Sequence, residues 1–197
     1  MNLIEINADH IPDQHIDIKF VIRGTDTDYR DRLHMSALFS YMQEAAYHHA
    51  TELNAGSDHL GRKQLCWVLL KVSVDIRDLP RWGSRIKLRT WQRGVKRLTF
   101  IRDFLLYDEH DHVIGAASSE WLIVDQKNHK PVRPPREWLD SVPETDETGC
   151  ERLQPIDRWP DKPVLIKYAD FSDIDRNYHV NNTRYVAWAV DAIQAVR

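Results

Sequence analysis

A chain of 197 residues with 42% hydrophobic and 29% charged residues has the composition of an ordinary globular protein, long enough for one large core or two small ones. A formal net charge of −3 gives no long-range case for nucleic-acid binding, and two distant cysteines, Cys66 and Cys150, exclude a disulfide scaffold or zinc ribbon and fit a reducing compartment. The N-terminal Met-Asn-Leu-Ile-Glu-Ile-Asn-Ala-Asp-His has neither a basic nor an apolar signal region, and no apolar run is long enough to cross a bilayer, so a cytoplasmic protein is expected.

His15–Ile22 alternates and reads as a short strand. A polar turn with Gly24, Asp26, Asp28 and Asp31 leads into a stretch from Leu33 to Leu53 free of Gly and Pro. There Leu38, Tyr41, Met42, Ala45, Tyr47, Ala50 and Leu53 recur at three- and four-residue steps, which predicts a helix of about five turns. Asn54 and Gly56 supply its stop. The period then changes to two. Val68, Leu70, Val72, Val74 and Ile76 form the expected buried face of a strand, and three more strands follow: Ile86 to Trp91, Arg97 to Tyr107, and Val113 to Asp125. Short connections make an antiparallel meander of these four the natural pairing. One strand, a long helix, then four strands is an α+β pattern, with the helix stripe buried on the concave face of the sheet.

Seven of the nine prolines lie between Pro131 and Pro163, so residues 131–163 read as a proline-rich linker, with a short helix around Trp138. Val164–Lys167 reads as a strand. Laid together at an offset of 144, the two ends of the chain repeat weakly: Val21-Ile22-Arg23 meets Leu165-Ile166-Lys167, Asp26 meets Asp170, Asp31 meets Asp175, and Tyr41 meets Tyr185. In that register Asn177 and His179 fall opposite Leu33 and Met35. The second copy reaches its helix and stops, and that helix must dock on the first unit, on another chain, or on residues beyond Arg197.

The densest chemistry is Asp175-Arg-Asn-Tyr-His-Val-Asn-Asn-Thr-Arg-Tyr185, with a carboxylate, a carboxamide and an imidazole within five residues just ahead of the apolar run Tyr185–Val190. That placement suggests a loop delivering side chains to the N-terminus of a buried helix. One reading of Asp175 and Asn177 is a plain helix cap; the other is catalysis. Asn181 and Asn182 tie loop to helix or line the site. The strand–helix–sheet order resembles the hotdog fold, and the Asp-x-Asn-x-His-Val-Asn-Asn-x-x-Tyr string resembles that of the acyl-[acyl carrier protein] thioesterases, which carry two hotdog units in one chain. Ser118-Ser-Glu-Trp-Leu-Ile-Val-Asp with Lys130-Pro-Val-Arg-Pro-Pro is similar to the family's first-unit final strand and exit. The resemblance implies one complete hotdog unit at 1–130, the linker at 131–163, and the start of a second unit at 164–197 that lacks most of its sheet.

It also implies hydrolysis of a fatty acyl thioester on acyl carrier protein, in fatty acid biosynthesis, with no cofactor. His179 is the residue type suited to act as a general base for water. Asn177 would orient water or hold the carbonyl oxygen, and Asp175 would orient the imidazole or share the base role. An acyl tunnel between helix and sheet has Tyr41, Met42, Tyr47, Trp67, Leu69, Trp91, Phe100 and Trp121 as candidates, each of which also reads as plain core. Arg89, Arg93, Lys96, Arg97, Arg102, Lys127, Lys130, Arg133 and Arg136 are candidates to face an acidic carrier, or simply a solvated surface. His48-His49 and His110-x-His112 lack the further ligands of a metal site, so none is expected. Two competitors stay open: a hotdog thioesterase acting on acyl-CoA, and a non-catalytic acyl- or carrier-binding module. A homodimer is one way to cover the last helix.

Overall fold

The computed structural model describes residues 4–6, 15–134, 136, 139, 149–150 and 165–195. Strands β1 (Ile4–Ile6) and β2 (His15–Val21) precede the helices α1 (Met35–Glu52) and α2 (Ser57–Arg62). Then come β3 (Leu65–Ile76), β4 (Arg85–Lys96), β5 (Thr99–Tyr107) and β6 (Val113–Asp125), and near the end α3 (Asn182–Ala195). The six strands form one antiparallel sheet in the order β1-β2-β4-β5-β6-β3.

Helix α1 lies where its periodicity places it and ends at Asn54, whose φ of 54° is the left-handed turn an asparagine tolerates. Its apolar stripe divides in two. Leu38, Phe39, Tyr41, Met42 and Ala45 are buried against Ile16, Ile18 and Phe20 of β2, Ile86 and Leu88 of β4, and Phe104 and Leu106 of β5. Each such side chain contributes about 1.5–3 kcal/mol by leaving water, so this cluster is the main source of stability. Tyr47, Ala50 and Leu53 turn away from it toward an open cleft. A smaller cluster gathers Phe100, Ile123 and Leu60, with Trp67 and Trp121 packed on it.

Three expectations about strands are corrected. The meander holds for β4-β5-β6, but β3 pairs with β6 at the far edge and β2 takes the place beside β4. To pass β6 and β5 the chain crosses three strand spacings, roughly 14 Å. Residues 77–84 reach roughly 26 Å, so a connection that looked like a tight turn is long enough to cross. Within β3, a register shift between Leu69 and Lys71 inserts Leu70 as an extra residue. The bulge flips the parity: Trp67 packs in the small cluster, while Val72, Val74 and Ile76 pack on the large one, and Leu70 is 47% exposed. Finally, residues 165–170 carry no strand. Among the described residues no segment pairs with them, and without a ladder a strand has no hydrogen bonds to define it.

Part of the expected linker packs closely. Val132 donates its N–H to Ile123 O (2.9 Å), and Gly149 donates to Asp103 Oδ2 (2.9 Å). A Cβ on Gly149 would sit 2.4 Å from the Ala117 carbonyl oxygen, so only glycine lets the chain approach the sheet this closely. Trp138 and its expected helix lie outside the described residues.

The turn before α1 returns before α3, but at an offset of 147 rather than 144. Gly24–Asp26 and Phe171–Asp173 are matching 3-10 turns, and the bridges Thr27–Leu33 and Ile174–Val180 close matching loops. Asp28 corresponds to Asp175, and Asp31 (φ 59°) corresponds to Tyr178 (φ 61°). Side-chain coincidences suggested the other register, whereas backbone hydrogen bonds decide this one. Asn177 and His179 therefore stand opposite Arg30 and Arg32, not Leu33 and Met35.

Candidate active site

The Asp175 loop is built by its own first residue. Asp175 Oδ1 accepts the backbone N–H of Asn177 (2.7 Å) and of His179 (3.3 Å). Its own N–H goes to His179 O (2.8 Å), and Tyr178 N–H returns to Asp175 O (3.0 Å). This is the Asx turn that an aspartate makes readily. The helix cap belongs to Asn181, whose Oδ1 accepts both the N–H and the hydroxyl of Thr183 (2.9 and 2.8 Å). Of the two readings of Asp175 and Asn177, the cap is thus ruled out: Asp175 shapes the loop, and Asn177 hangs from it.

Helix α3 is only half-buried, with no fully buried residue, contrary to the buried helix expected. It lies on α1, and Val186 reaches the large cluster. Beneath it Asp173, 3% exposed, pairs with Arg184 (2.5 Å). Arg176 reaches Asp58 of α2 (2.9 Å), an exposed pair worth about 0–1 kcal/mol that still ties the loop to the first unit.

Between this loop and the sheet runs a cleft of about 700 Å³. Asp175, Asn177, Asn181 and Asn182 line one side, and Trp67, Phe100 and Trp121 line the other. Trp67 and Phe100 meet edge to face with centroids 4.9 Å apart. Tyr47 of α1 lines it too, and the remaining tunnel candidates stand elsewhere. Tyr41 and Met42 belong to the large cluster; Tyr41 stacks on Phe20 and donates its hydroxyl to Asp26 (2.6 Å). Burial first, then the Asp26 carboxylate, pushes the Tyr41 phenol up to about 12. Trp91 pairs in register with Asp103 on the opposite face from Thr90 and Gln92, so it points away from the concave side. Leu69 faces Trp121 in register but does not line the cleft.

His179 sits at the rim. Its side chain is exposed, is not part of the cleft wall, and lies with its ring centroid 6.1 Å from that of His129. The Asp175 carboxylate holds the His179 main chain, so any orienting effect acts through the backbone. Cys66 lines the cleft, and its thiol is pushed up by burial and then by the nearby Asp175 charge, which keeps it protonated.

Several charges read from the sequence as surface are not. Arg102 is 5% exposed and Arg93 pairs with the buried Asp103 (3.3 Å), while Arg89 forks onto Asp17 (2.7 Å twice). Lys96, Arg97, Lys127, Lys130, Arg133 and Arg136 remain exposed. The first two cap the β4–β5 hairpin and the next two follow β6, at the end of the sheet where His129 meets the Asp175 loop. The polar cleft wall on α1, Ser40, Gln43 and Glu44, was not singled out from sequence. Its spacing by three and four on the face beside the apolar stripe is the signal that marks it.

Among the described residues no group of three or more His, Cys, Asp or Glu side chains is arranged to hold a metal ion. Among the described residues no helix is long and apolar enough to cross a membrane.

A family model described as acyl-ACP thioesterase N-terminal domain matches residues 13–142, and one described as its C-terminal domain matches residues 165–196. Among curated proteins, oleoyl-acyl carrier protein thioesterase 2 of Arabidopsis thaliana is 23% identical over 89% of this chain and 53% of its own length. An acyl-[acyl-carrier-protein] hydrolase of Cuphea viscosissima is 26% identical over 88% and 46%. The chain thus spans about half the length of these curated relatives. Among solved structures, an acyl-ACP thioesterase from Bacteroides thetaiotaomicron superposes with a TM-score of 0.82 at 26% identity, covering 90% of this chain and 73% of that one. The 12:0-ACP thioesterase from Umbellularia californica gives 0.79 at 21%, covering 92% and 71%. The architecture is the hotdog fold.

Proposed function

Since the chain belongs to the acyl-ACP thioesterase family, we propose that it hydrolyses a fatty acyl thioester carried on acyl carrier protein, releasing the fatty acid and the carrier thiol. The observation that carries this reading is the cleft with the Asp175 loop on one wall and Trp67, Phe100 and Trp121 on the other. An acyl chain lies along the aromatic wall, which places its thioester carbon beside Asn177 at the mouth. His179, open to solvent at the rim, takes a proton from water as the water oxygen attacks that carbon. Asn177 donates its amide N–H to the oxygen that becomes negative, and the carrier thiolate leaves with the proton from His179. Asp175 keeps both side chains in place by holding the turn.

Carrier docking belongs to the same reading. Lys96, Arg97, Lys127 and Lys130 cluster at the loop's end of the sheet, where an acidic partner would present its acyl arm to the cleft. A homodimer is proposed as well, supported by the exposed apolar side chains Phe171, Tyr178, Tyr185 and Ile193. A cytoplasmic site of action is proposed too; it is supported by two free thiols, Cys66 and Cys150, which suit a reducing compartment. The test of the substrate is direct: one acyl group is offered on carrier protein and on coenzyme A, with thiol release followed for each. Faster release from the carrier is expected. Equal or faster release from coenzyme A transfers the proposal to acyl-CoA, and acyl binding without release leaves a non-catalytic module.

A further inference from the structure

Along the concave face of β5 the side chains read Phe100, Arg102, Phe104. Phe100 belongs to the small cluster and Phe104 to the large one, so a guanidinium stands between two apolar cores. Its neighbours across the sheet are polar as well: Gln92 on β4 and Ser119 on β6 lie directly opposite, 6% and 2% exposed. Arg102 Nη1 donates to His49 Nδ1 (2.9 Å) and to Thr90 Oγ1 (3.2 Å). A guanidinium has no acceptor, so His49 must accept at Nδ1 and be neutral. Both partners are therefore uncharged. Asp103, the next residue, faces the other side of the sheet and is taken by Arg93. Among the described residues no carboxylate pairs with Arg102.

A buried cation held only by neutral acceptors is costly, and a strap between α1 and the sheet does not require one. Phe100 and Phe104 fill the same face without charge. Arg102 and Gln92 also line the cleft that takes Asp175 and Asn177, so the charge faces the space an acyl chain would fill. We infer that Arg102, with Gln92 beside it, is a binding station for an oxygen atom carried on the acyl chain itself, a hydroxyl, keto or carboxylate group at a set depth from the thioester. A plain alkyl segment offers the guanidinium nothing in exchange for water. An oxygen there accepts a charge-assisted hydrogen bond, which favours the oxygenated chain by about tenfold or more. The inference deepens the thioesterase reading by naming a substrate class, but binding of free fatty acids reads it without any hydrolysis.

Calorimetric titration of the full chain with palmitate, with hydroxypalmitates whose hydroxyl is walked along the chain, and with hexadecanedioate tests it. At least one oxygenated ligand should bind about tenfold tighter than palmitate. In Arg102→Met that preference should vanish while the melting temperature stays level or rises, because an apolar side chain of similar length removes a buried charge. If palmitate binds native protein as well as every oxygenated ligand, or if nothing binds, the inference is wrong. It is also wrong if Arg102→Met keeps the preference and merely melts lower, which is the behaviour of a structural strap. Should the variant fail to fold, the native ranking alone decides. A protein that ranks the ligands as expected yet cleaves no carrier thioester overturns the proposed function and leaves this inference standing.

Discussion

The turn before α1 and the turn before α3 share one backbone and differ in almost everything hung on it. In each, an aspartate carboxylate gathers two N–H groups of a seven-residue loop: Asp28 those of Arg30 and Arg32, Asp175 those of Asn177 and His179. In each, the residue before the helix donates its N–H to the acidic end of the 3-10 turn, His34 to Asp26 O and Asn181 to Asp173 O, both at 2.8 Å. Beyond that frame the copies diverge. Arg32 turns back to pair with Asp28 (3.1 Å), whereas His179 stays exposed at the rim and Asn177 lines the cleft. The loop closes equally well around arginines, so neither the amide nor the imidazole is demanded by folding. A polar pair that the frame tolerates but does not need is available for chemistry.

The two helices differ in the same way, and stability measurements can break the parallel. Leu38 is 1% exposed, and its counterpart at the 147 offset, Tyr185, is 58% exposed. Leu38→Ala should cost about 2–5 kcal/mol, while Tyr185→Ala should stay within about 0.5 kcal/mol in denaturant titrations. Comparable losses would mean that α3 is as deeply packed as α1.

The buried face of α1 carries a pH signature that α3 cannot match. Burial, and then the Arg102 charge, lowers His49 from 6.5 to about 3. The unfolded chain protonates this ring at its ordinary value, so between 6.5 and about 3 unfolding takes up a proton and stability falls as the pH is lowered. The loss should be on the order of a few kcal/mol by the acid end of that window. His49→Gln, which keeps an acceptor for Arg102, should flatten the melting temperature across it; an unchanged slope would show that another group sets it. Smaller still is the cap. α1 begins at His34 without a side-chain cap, whereas Asn181 caps α3. Asn181→Ala should cost about 1 kcal/mol in a thermal melt, and no change would show that Thr183 finds another acceptor.

Local pattern made α1, the β4-β5-β6 meander and the motif loop legible before any coordinates, because each rests on neighbours within a few residues. What escaped was set by distant pairing. The place of β3 depends on which strand β6 meets, and no period in the sequence encodes that. Leu70 reads as one more apolar residue in an alternating run until the bulge removes it from the core. The repeat is visible in side chains, but its register is decided by hydrogen bonds and lies three residues from the one the side chains suggest. At the site, Asp175 and Asn177 announced themselves by density. Tyr41 and Met42 were indistinguishable from lining residues, since core and cleft ask for the same chemistry on adjacent stripes of one helix. Arg102 was read as surface because arginine usually is.

If the exposed rim of the second loop performs chemistry the first cannot, that chemistry depends on His179. Thiol release from an acyl-loaded carrier protein, measured for the full chain and for His179→Ala, tests it most directly. The rate should fall about 10²–10⁴-fold. The melting temperature should not change, since the side chain is exposed. Undiminished release by His179→Ala, or a loss of rate that simply tracks a lower melting temperature, would contradict it.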